Sequence, residues 1–354
     1  MSAAADNGRA RGKLRATAVT LAHGGGGKAM HDLIEDVFVG AFDNPLLATL
    51  EDQARVDLAS LAAHGDRLAF TTDSYVVSPI EFPGGDIGKL SVCGTINDLA
   101  VGGAVPLYLS CAVIMEEGLE TATLRRIVAS MAATAREAGV FIVTGDTKVV
   151  ERHACDKLFI TTTGIGVIRK GVHLGIDKAR PGDAILVNGV LGDHGATILN
   201  ARGEMSLKTA VESDCAPLHR LIDKLLEAAP DTRFLRDATR GGLATVLNEI
   251  AAASRVGIEV IEQKTPLRDE VKGFCELLGL DPLYLANEGK IVCIVPEAQA
   301  RDALDALRAH PLGREAEIIG RVTDHRPGRV VMHTVFGGHR MIDMLIGEQL
   351  PRIC

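Results

Sequence analysis

The segment R-K-G-V-H-L-G-I-D-K-A-R-P-G-D, residues 169–183, decides how this chain is organised. Its glycines and its proline interrupt any helical or strand period, and this composition is typical of a linker between domains. The total length of 354 residues agrees with such a division, since a domain averages about 150 residues. We therefore predict an N-terminal domain over 19–170 and a C-terminal domain over 171–338. A disordered arm over 1–18 and a mobile tail over 339–354 would flank them.

Helices and strands are mixed on both sides of this linker. Before it, apolar residues three and four apart predict a helix over Thr121–Ala138, and the apolar run Leu107–Met115 predicts a buried strand. After it, a helix is predicted over Ala238–Ser254 and a strand over Lys290–Val295. Hairpin-length gaps between such elements favour two α+β domains, each of mixed α/β content, over one long parallel sheet.

Composition excludes several classes of function. Lysine and arginine total 38 against 46 aspartates and glutamates, so the net charge of −8 offers no broad attraction for nucleic acid or anionic lipid. Aromatic residues make up only 3% of the chain, too few for a base-stacking surface. No apolar run approaches the ~18 residues of a membrane span. Seven cysteines without a C-x-x-C pair argue against a zinc ribbon or a disulfide framework. We expect a cytoplasmic protein with neither nucleic-acid nor membrane partners.

A run of four glycines is the first candidate binding element. Glycines without side chains let backbone N–H groups approach a phosphate closely, and the lysine that follows adds positive charge. The run is not a Walker A loop, because alanine follows the Gly-Lys pair, and a relaxed dinucleotide pattern or a flexible hairpin remain alternatives. The candidate phosphate-binding residues are His23, Gly24, Gly25, Gly26, Gly27 and Lys28.

Acidic residues at the ends of predicted elements form the second candidate. They are Asp73 in T-T-D-S, Asp98 in I-N-D-L, Asp146 in T-G-D-T-K and Asp237 in R-D-A-T-R-G-G. Carboxylates from separate elements, together with phosphates, are the ligands that Mg²⁺ takes in nucleotide sites. Each aspartate taken singly has the alternative of a cap or turn residue. Their repetition beside glycine-rich loops favours a metal–phosphate site.

Two further segments carry reactive side chains. Asp146 and Lys148 would share one face of any strand continuing from Val140–Thr144, and Glu288 lies just before a predicted strand, with a solvated turn as the alternative for both. Cys354 is the last residue, where no following chain fixes its place. The eight residues from Gly347 allow a reach of about 26 Å. A carrier thiol on an arm and an incidental terminal residue are the two interpretations.

Seven motifs in this order resemble the hydrogenase-maturation carbamoyl dehydratases, a family within the ATP-binding aminoimidazole-ribonucleotide-synthetase superfamily. Several of these motifs are shared with the wider superfamily, whereas V-T-G-D-T-K-V-V and the terminal P-R-I-C are the ones that indicate this family within it. The motifs are H-G-G-G-G-K at 23–28, T-T-D-S-Y-V-V-S-P at 71–79, I-N-D-L-A-V-G-G-A-x-P at 96–106, V-T-G-D-T-K-V-V at 143–150, D-A-T-R-G-G-L-A at 237–244, N-E-G-K at 287–290 and P-R-I-C at 351–354.

The resemblance implies a fold, a reaction and partners. The N-terminal domain would pair with its twin in a homodimer, joining two sheets into a barrel with ATP and Mg²⁺ near the interface. The chain would dehydrate S-carbamoyl-Cys354 to S-cyano-Cys354 at the expense of ATP, supplying the cyanide ligand for the iron of a [NiFe] hydrogenase. A carbamoyltransferase of the same pathway would load the thiol, and an iron-carrying complex of two further maturation proteins would receive the product.

Roles for the candidate residues follow from the resemblance. Phosphorylation by ATP would convert the amide oxygen into a phosphate leaving group, and a base would remove the nitrogen protons. Lys148 and Glu288 would orient the thiocarbamate and take these protons. The assigned Mg²⁺ ligands are Asp73, Asp98 and Asp146, and the assigned ATP-binding residues beyond the glycine run are Asn97, Thr147 and Asp237. The rival hypotheses are a selenophosphate or aminoimidazole-ribonucleotide synthetase and a non-catalytic scaffold binding metal through Cys354.

Overall fold

The structure, a computed structural model, describes residues 14–203, 210–347 and 352–354. Most of the arm predicted over 1–18 therefore lies outside the described residues, as does Pro351 of the tail. Two domains of mixed α/β content follow one another along the chain, which confirms the predicted mixture of helices and strands.

The N-terminal domain places its first helices before its sheet. Its helices are α1 (Lys28–Leu33), α2 (Gly40–Phe42), α3 (Leu58–Ala62), α4 (Ile87–Val101) and α5 (Thr121–Ala138), and its strands are β1 (Arg67–Tyr75), β2 (Glu81–Phe82), β3 (Gly85–Asp86), β4 (Ala104–Glu116), β5 (Phe141–Val150) and β6 (Leu158–Ile168). A π-helical segment, Ile34–Val39, joins α1 to α2, and short 3-10 turns occupy Leu21–Gly24 and Leu47–Thr49.

The four-stranded sheet has the order β1-β6-β4-β5, in which β4 and β5 run parallel and the other pairs antiparallel. Helices α4 and α5 cover one face. Helix α5 has the bounds predicted from its periodicity, and its apolar stripe is buried. Helix α4 is buried almost all round, because the C-terminal domain packs against its other side. The opposite face, here called the outer face, is uncovered by the described residues and presents Leu68, Phe70, Ile114 and Phe141.

The G-D-T-K segment lies within a strand. The strand predicted over Val140–Thr144 continues as β5 through Gly145 to Val150 alongside β4, so the alternative of a solvated turn at this segment is wrong. The continuation is possible because Gly145 has no side chain, since a Cβ there would collide with the carbonyl oxygen of Cys111 on β4.

The C-terminal domain surrounds a seven-stranded sheet of order β13-β12-β9-β11-β7-β10-β8, with β12–β9 as its parallel pair. Its strands are β7 (Ala184–Val187), β8 (Phe234–Asp237), β9 (Gly257–Ile261), β10 (Ile291–Val295), β11 (Glu317–Thr323), β12 (Val330–His333) and β13 (His339–Ile342), and its helices are α6 (Asp193–Ala201), α7 (His219–Ala228), α8 (Gly242–Ser254), α9 (Asp269–Leu278) and α10 (Ala300–Ala309). Within the described ranges, no helix combines the length and the apolar character needed to cross a bilayer.

The end of the chain returns to the N-terminal domain. Ile353 forms an antiparallel bridge with Val77, between β1 and β2, and is only 4% exposed. The backbone N–H of Ser78 donates to the carbonyl oxygen of Arg352 at 3.2 Å. The last residues of the tail, predicted to be mobile, are therefore docked in this structure.

Candidate active site

Three carboxylates come together where the two domains face each other. Asp73 lies on β1, Asp98 in the last turn of α4, and Asp237 at the end of β8. Burial raises the pKa of Asp98, while a hydrogen bond from Thr71 Oγ1 at 2.9 Å opposes this shift and the charge of Asp73 adds to it. Burial, together with the charges of Asp98 and Asp73, raises the pKa of Asp237 to about 7. The group thus carries negative charge that a bound cation would neutralise.

A buried carboxyl and the terminal thiol lie beside this acidic group. Glu288 is 3% exposed, and its Oε1 has no hydrogen-bond partner among the described residues. Burial raises the pKa of Glu288 well above its ordinary value of 4.5, and the charges of neighbours including Asp237 raise it further. Burial also raises the pKa of Cys354, and the charge of Glu288 adds to this effect, whereas the charge of Arg240 opposes it. The N-E-G-K and P-R-I-C motifs therefore meet at one place.

The backbone around Glu288 is held by polar groups from both domains. The buried carboxylate of Asp214 accepts hydrogen bonds from the N–H groups of Glu288 at 3.0 Å and Gly289 at 3.2 Å, and pairs with Lys290 Nζ at 2.9 Å. Asn97 Nδ2 donates to the carbonyl oxygen of Glu288 at 3.4 Å, and its Oδ1 accepts from a backbone N–H in the loop before α7. Asn97, predicted to contact ATP, thus uses its amide to join α4 to this loop.

The glycine run and the G-D-T-K strand form the walls of a separate cavity of about 420 Å³. Gly26, Gly27, Gly145, Asp146 and Thr147 line one part of it. The segment 30–52 lines most of the rest with apolar side chains, among which stand His31, Glu35, Glu51 and Asp52. The buried Thr147 Oγ1 has no hydrogen-bond partner in the described chain. A backbone-lined end and a largely apolar remainder fit a nucleotide, with phosphates at the glycines and the base against the apolar side chains.

The remaining residues of the glycine run do not line this cavity. His23 is buried, and its Nδ1 accepts a hydrogen bond from the backbone N–H of Thr20 at 2.9 Å. Lys28 Nζ pairs with Asp32 at 2.7 Å on an exposed face of α1. Gly24 packs against Val149 of β5, and the N–H of Gly25 closes a turn to the carbonyl of Ala22, so neither lines the cavity.

Asp146 and Lys148 do not join the acidic group within one chain. Lys148 Nζ lies 2.9 Å from Asp146 Oδ2, and both side chains are exposed on the outer face. They share one face of a strand, as predicted, because β5 continues past Gly145. Strands β4 and β6 separate them from Asp73 on β1, a distance of roughly 14 Å at about 4.8 Å per strand.

Mg²⁺ fits the acidic group only together with a nucleotide. The described residues contain no group of three or more His, Cys, Asp or Glu side chains arranged as a metal site. Mg²⁺ commonly takes one or two carboxylates and completes its coordination with phosphates and water. Asp73 and Asp98, which lie close enough for the charge of Asp73 to raise the pKa of Asp98, meet that requirement.

Three site residues were missed by sequence reasoning. Arg240, in the D-A-T-R-G-G motif, lies 3.9 Å from Asp73, and its positive charge opposes the rise in the pKa of Cys354. Asp214 supports the backbone of Glu288, and His194 contacts the docked tail. Arg240 had a signal, because its motif was singled out. Asp214 and His194 carry no motif, so only the folded chain reveals them.

Replacing Gly145 with alanine is expected to weaken both the fold and nucleotide binding. The added Cβ would collide with the carbonyl oxygen of Cys111, so β5 would shift against β4 and distort the cavity wall. We expect a loss of about 1–3 kcal/mol in the free energy of unfolding, and ATP affinity at least about tenfold weaker by calorimetry, the equivalent of about 1.4 kcal/mol. Gly273 in α9 is the matched control, because a Cβ there meets no atom within 4 Å. Equal effects at both positions would contradict the prediction.

Comparisons with known proteins agree with this geometry. Residues 50–168 and 180–333 match the N-terminal and C-terminal domains of the AIR synthase related protein family. Carbamoyl dehydratase HypE of Rhodobacter capsulatus is 62% identical over 341 residues, which cover 96% of this chain and 99% of that protein. A solved structure of the hydrogenase maturation protein HypE with ATP has a TM-score of 0.89 at 55% identity, covering 95% of this chain and 99% of the other.

A solved complex of HypE with HypF also matches, with a TM-score of 0.77 at 47% identity over 88% of this chain and 99% of the other. These relatives span almost the whole length of the chain, and they confirm the resemblance read from the seven motifs. The chain therefore belongs to the carbamoyl dehydratase HypE family.

Proposed function

We propose that this protein is the ATP-dependent carbamoyl dehydratase of hydrogenase maturation, converting S-carbamoyl-Cys354 to S-cyano-Cys354. One observation carries the proposal: the terminal thiol is docked beside the acidic group of Asp73, Asp98 and Asp237 and beside the buried carboxyl of Glu288, whose Oε1 has no hydrogen-bond partner among the described residues. The tail reaches this site in its own chain. Relatives named carbamoyl dehydratase, and a related structure with ATP, support the same reaction.

The chain's residues divide the chemical work between two places. The glycine-lined cavity would hold ATP. Asp73 and Asp98 would hold Mg²⁺ together with ATP phosphates, which the cavity of the same chain does not bring to them because it lies across the sheet. The pairing of two outer faces would have to bring nucleotide and acidic group together, with Asp146 as a further ligand. When bound, ATP with Mg²⁺ supplies the phosphoryl group that makes the amide oxygen a leaving group. Glu288 would accept one of the two protons lost from the thiocarbamate nitrogen, and the other would leave with the phosphate that carries the oxygen away, so that the S–C≡N group remains. Arg240 offsets negative charge beside the sulfur.

Intact-mass analysis tests this function directly. The chain is incubated with the carbamoyltransferase, its carbamoyl donor and ATP, and the peptide that carries Cys354 is followed. We expect a carbamoylated peptide that loses one water only when ATP is present. A carbamoylated peptide that persists unchanged with ATP would contradict the proposal.

The protonation state of the docked thiol indicates when the partner proteins would act on it. Because burial beside Glu288 keeps Cys354 protonated, the docked tail is arranged as a substrate rather than a nucleophile. Carbamoylation would therefore take place with the tail undocked, on the carbamoyltransferase, and a related complex of HypE with HypF supports such a partner. Transfer of the cyano group to an iron-carrying complex of two maturation proteins, in the cytoplasm, completes the proposed sequence.

The outer face is proposed as the homodimer interface. Leu68, Phe70, Ile114 and Phe141 form an apolar surface that no described element covers, and such surfaces mark sites of association. Pairing two outer faces would join the sheets into a barrel. It would also bring Asp146 and Lys148 into the interface, where Lys148 would orient the thiocarbamate and take its protons.

Replacing Phe70 with lysine is expected to convert the dimer to monomers. Phe70 is 73% exposed on the outer face of the edge strand β1, and a lysine ammonium there would have to be desolvated on association. Light scattering with size-exclusion chromatography measures the mass of the particle. We also expect the rate of dehydration to fall at least about tenfold, which is equivalent to about 1.4 kcal/mol of lost transition-state stabilisation. Phe336, which is 96% exposed on the hairpin between β12 and β13, is the matched control. A Phe70→Lys chain that remains dimeric would contradict the assignment.

A further inference from the structure

Helix α6 holds the docked end of the tail through residues at both of its ends. Arg202, which follows the helix, donates from Nη2 to the carbonyl oxygen of Arg352 at 2.6 Å and from Nε to the carbonyl oxygen of Ser78 at 2.9 Å. His194, in the first turn, donates from Nε2 to the carbonyl oxygen of Ile353 at 2.8 Å. The carbonyl oxygens of the two residues before Cys354 are thus both bound, one by Arg202 and the other by His194.

The surroundings of His194 fix which nitrogen carries the proton. The carbonyl oxygen of Ile353 can only accept, so Nε2 bears the hydrogen. Nδ1 lies 2.8 Å from Ser213 Oγ, which itself accepts a hydrogen bond from the N–H of Cys215 at 3.2 Å, so the Ser213 hydroxyl hydrogen is directed to Nδ1. The ring packs edge-on against Phe82 with centroids 5.6 Å apart. His194 is fully buried, and burial lowers its pKa, which is consistent with a neutral ring.

The bond from His194 orients the peptide unit that contains the reacting residue. The carbonyl oxygen of Ile353 and the Cα of Cys354 belong to one planar peptide group. A hydrogen bond that fixes the oxygen therefore fixes the plane from which the Cys354 side chain projects towards Glu288. The ring does not touch the sulfur, so its effect on the reaction is exerted through the tail.

We infer that His194 is a positioning residue for dehydration, which as the Nε2–H tautomer places the S-carbamoyl group of Cys354 against Glu288. The inference rests on the proposed function and deepens it, since it assigns the group that sets the substrate's position. A residue that fixes the orientation of the substrate changes the rate at which the bound substrate is dehydrated, whereas the affinity for the nucleotide depends on the separate glycine-lined cavity.

Two variants and a matched control test this role in the full chain. His194→Leu removes the donor, and His194→Gln retains an N–H donor of similar reach. His219→Leu is the control, because His219 is a buried histidine on α7 with no bond to the tail among the described residues. With the carbamoylated chain and saturating ATP, we expect single-turnover water loss to be about tenfold slower in His194→Leu, a loss typical of one hydrogen bond to a buried carbonyl. His194→Gln and the control should stay within about threefold of wild type, which is below the cost of one hydrogen bond.

Two readouts separate positioning from general damage. The ATP concentration giving half-maximal rate should not change in His194→Leu. Alkylation of the free Cys354 thiol by iodoacetamide, followed on its peptide, should become about tenfold faster in His194→Leu and not in the control, because the tail undocks more often. In ¹⁵N-histidine NMR spectra of the unmodified wild type, one Nε2–H resonance should disappear when residues 352–354 are deleted, a result that does not depend on any variant of His194 folding.

The outcomes distinguish this inference from the proposed function. Absence of ATP-dependent water loss in the wild type would refute the function itself. Wild-type conversion together with unchanged water loss and unchanged alkylation in His194→Leu would overturn the positioning role. Should His194→Leu fail to fold, a tail deletion that leaves every histidine resonance in place would overturn it equally.

Discussion

Replacing Cys354 with serine is expected to abolish both the carbamoylated and the cyanated forms of the chain. A serine hydroxyl is a far weaker nucleophile than a thiol at neutral pH, so the partner enzyme cannot load it. Intact mass after incubation with the carbamoyltransferase and ATP measures the result. ATP binding should be retained, because the cavity formed by the glycine run and β5 includes no residue of the tail.

Cys155 provides the matched control for this substitution. It is a cysteine of intermediate exposure in the loop between β5 and β6, outside the acidic group. Cys155→Ser is expected to be carbamoylated and dehydrated as the wild type is. A Cys354→Ser chain that still gains a carbamoyl group and then loses water would show that another thiol is the substrate.

The parts of the fold that sequence predicted are those fixed by local pattern. The bounds of α5 follow from apolar residues three and four apart, because the burial of that stripe depends on little beyond the helix itself. Strand β10 begins one residue after its predicted start, since a continuous apolar run buried on both faces has few other conformations. The helix predicted over Ala238–Ser254 begins only at Gly242, because the preceding Gly241 takes a positive φ angle that a regular helix does not allow.

The parts of the site that sequence could not place depend on contacts between distant segments. Asp237 and Glu288 were singled out separately, and nothing in their motifs shows that both lie beside the last residue. Asp146 was grouped with Asp73 as a metal ligand, yet the strand order separates them, and strand order is set by long-range pairing. The assignment of Asp146 therefore depends on the homodimer proposed through the outer face.

The position of the tail links these separate observations. An end docked by α6 keeps Cys354 beside Glu288 without any added binding step, so the substrate is present at a high effective concentration. The same burial raises the pKa of the thiol and disfavours reaction with external reagents. A docked tail therefore suits dehydration, and an undocked tail suits exchange with the partner proteins.

Replacing Glu288 with glutamine is expected to slow dehydration of the carbamoylated chain by at least about 100-fold, the lower limit for loss of a general base. The amide has the shape of the carboxyl but cannot take a proton from the thiocarbamate nitrogen. Single-turnover loss of water, followed by intact mass at saturating ATP, measures the rate. Glu259→Gln on β9 is the matched control, because Glu259 pairs with Arg321 away from the site. A Glu288→Gln chain with the wild-type rate would remove Glu288 from the mechanism.

The pH dependence of the two chains separates a lost base from a damaged fold. Burial raises the pKa of Glu288 above 4.5, so the wild-type rate should rise with pH as the carboxylate forms, and this rise should be missing in Glu288→Gln. A raised native pKa also means that the folded chain holds this proton more tightly than the unfolded chain. The contribution of Glu288 to stability is therefore full below the unfolded pKa, and it is lost as pH rises through the folded value. Glu288→Gln should consequently unfold at a temperature no lower than the wild type at neutral pH, and a clear drop in Tm would attribute the lost activity to misfolding instead.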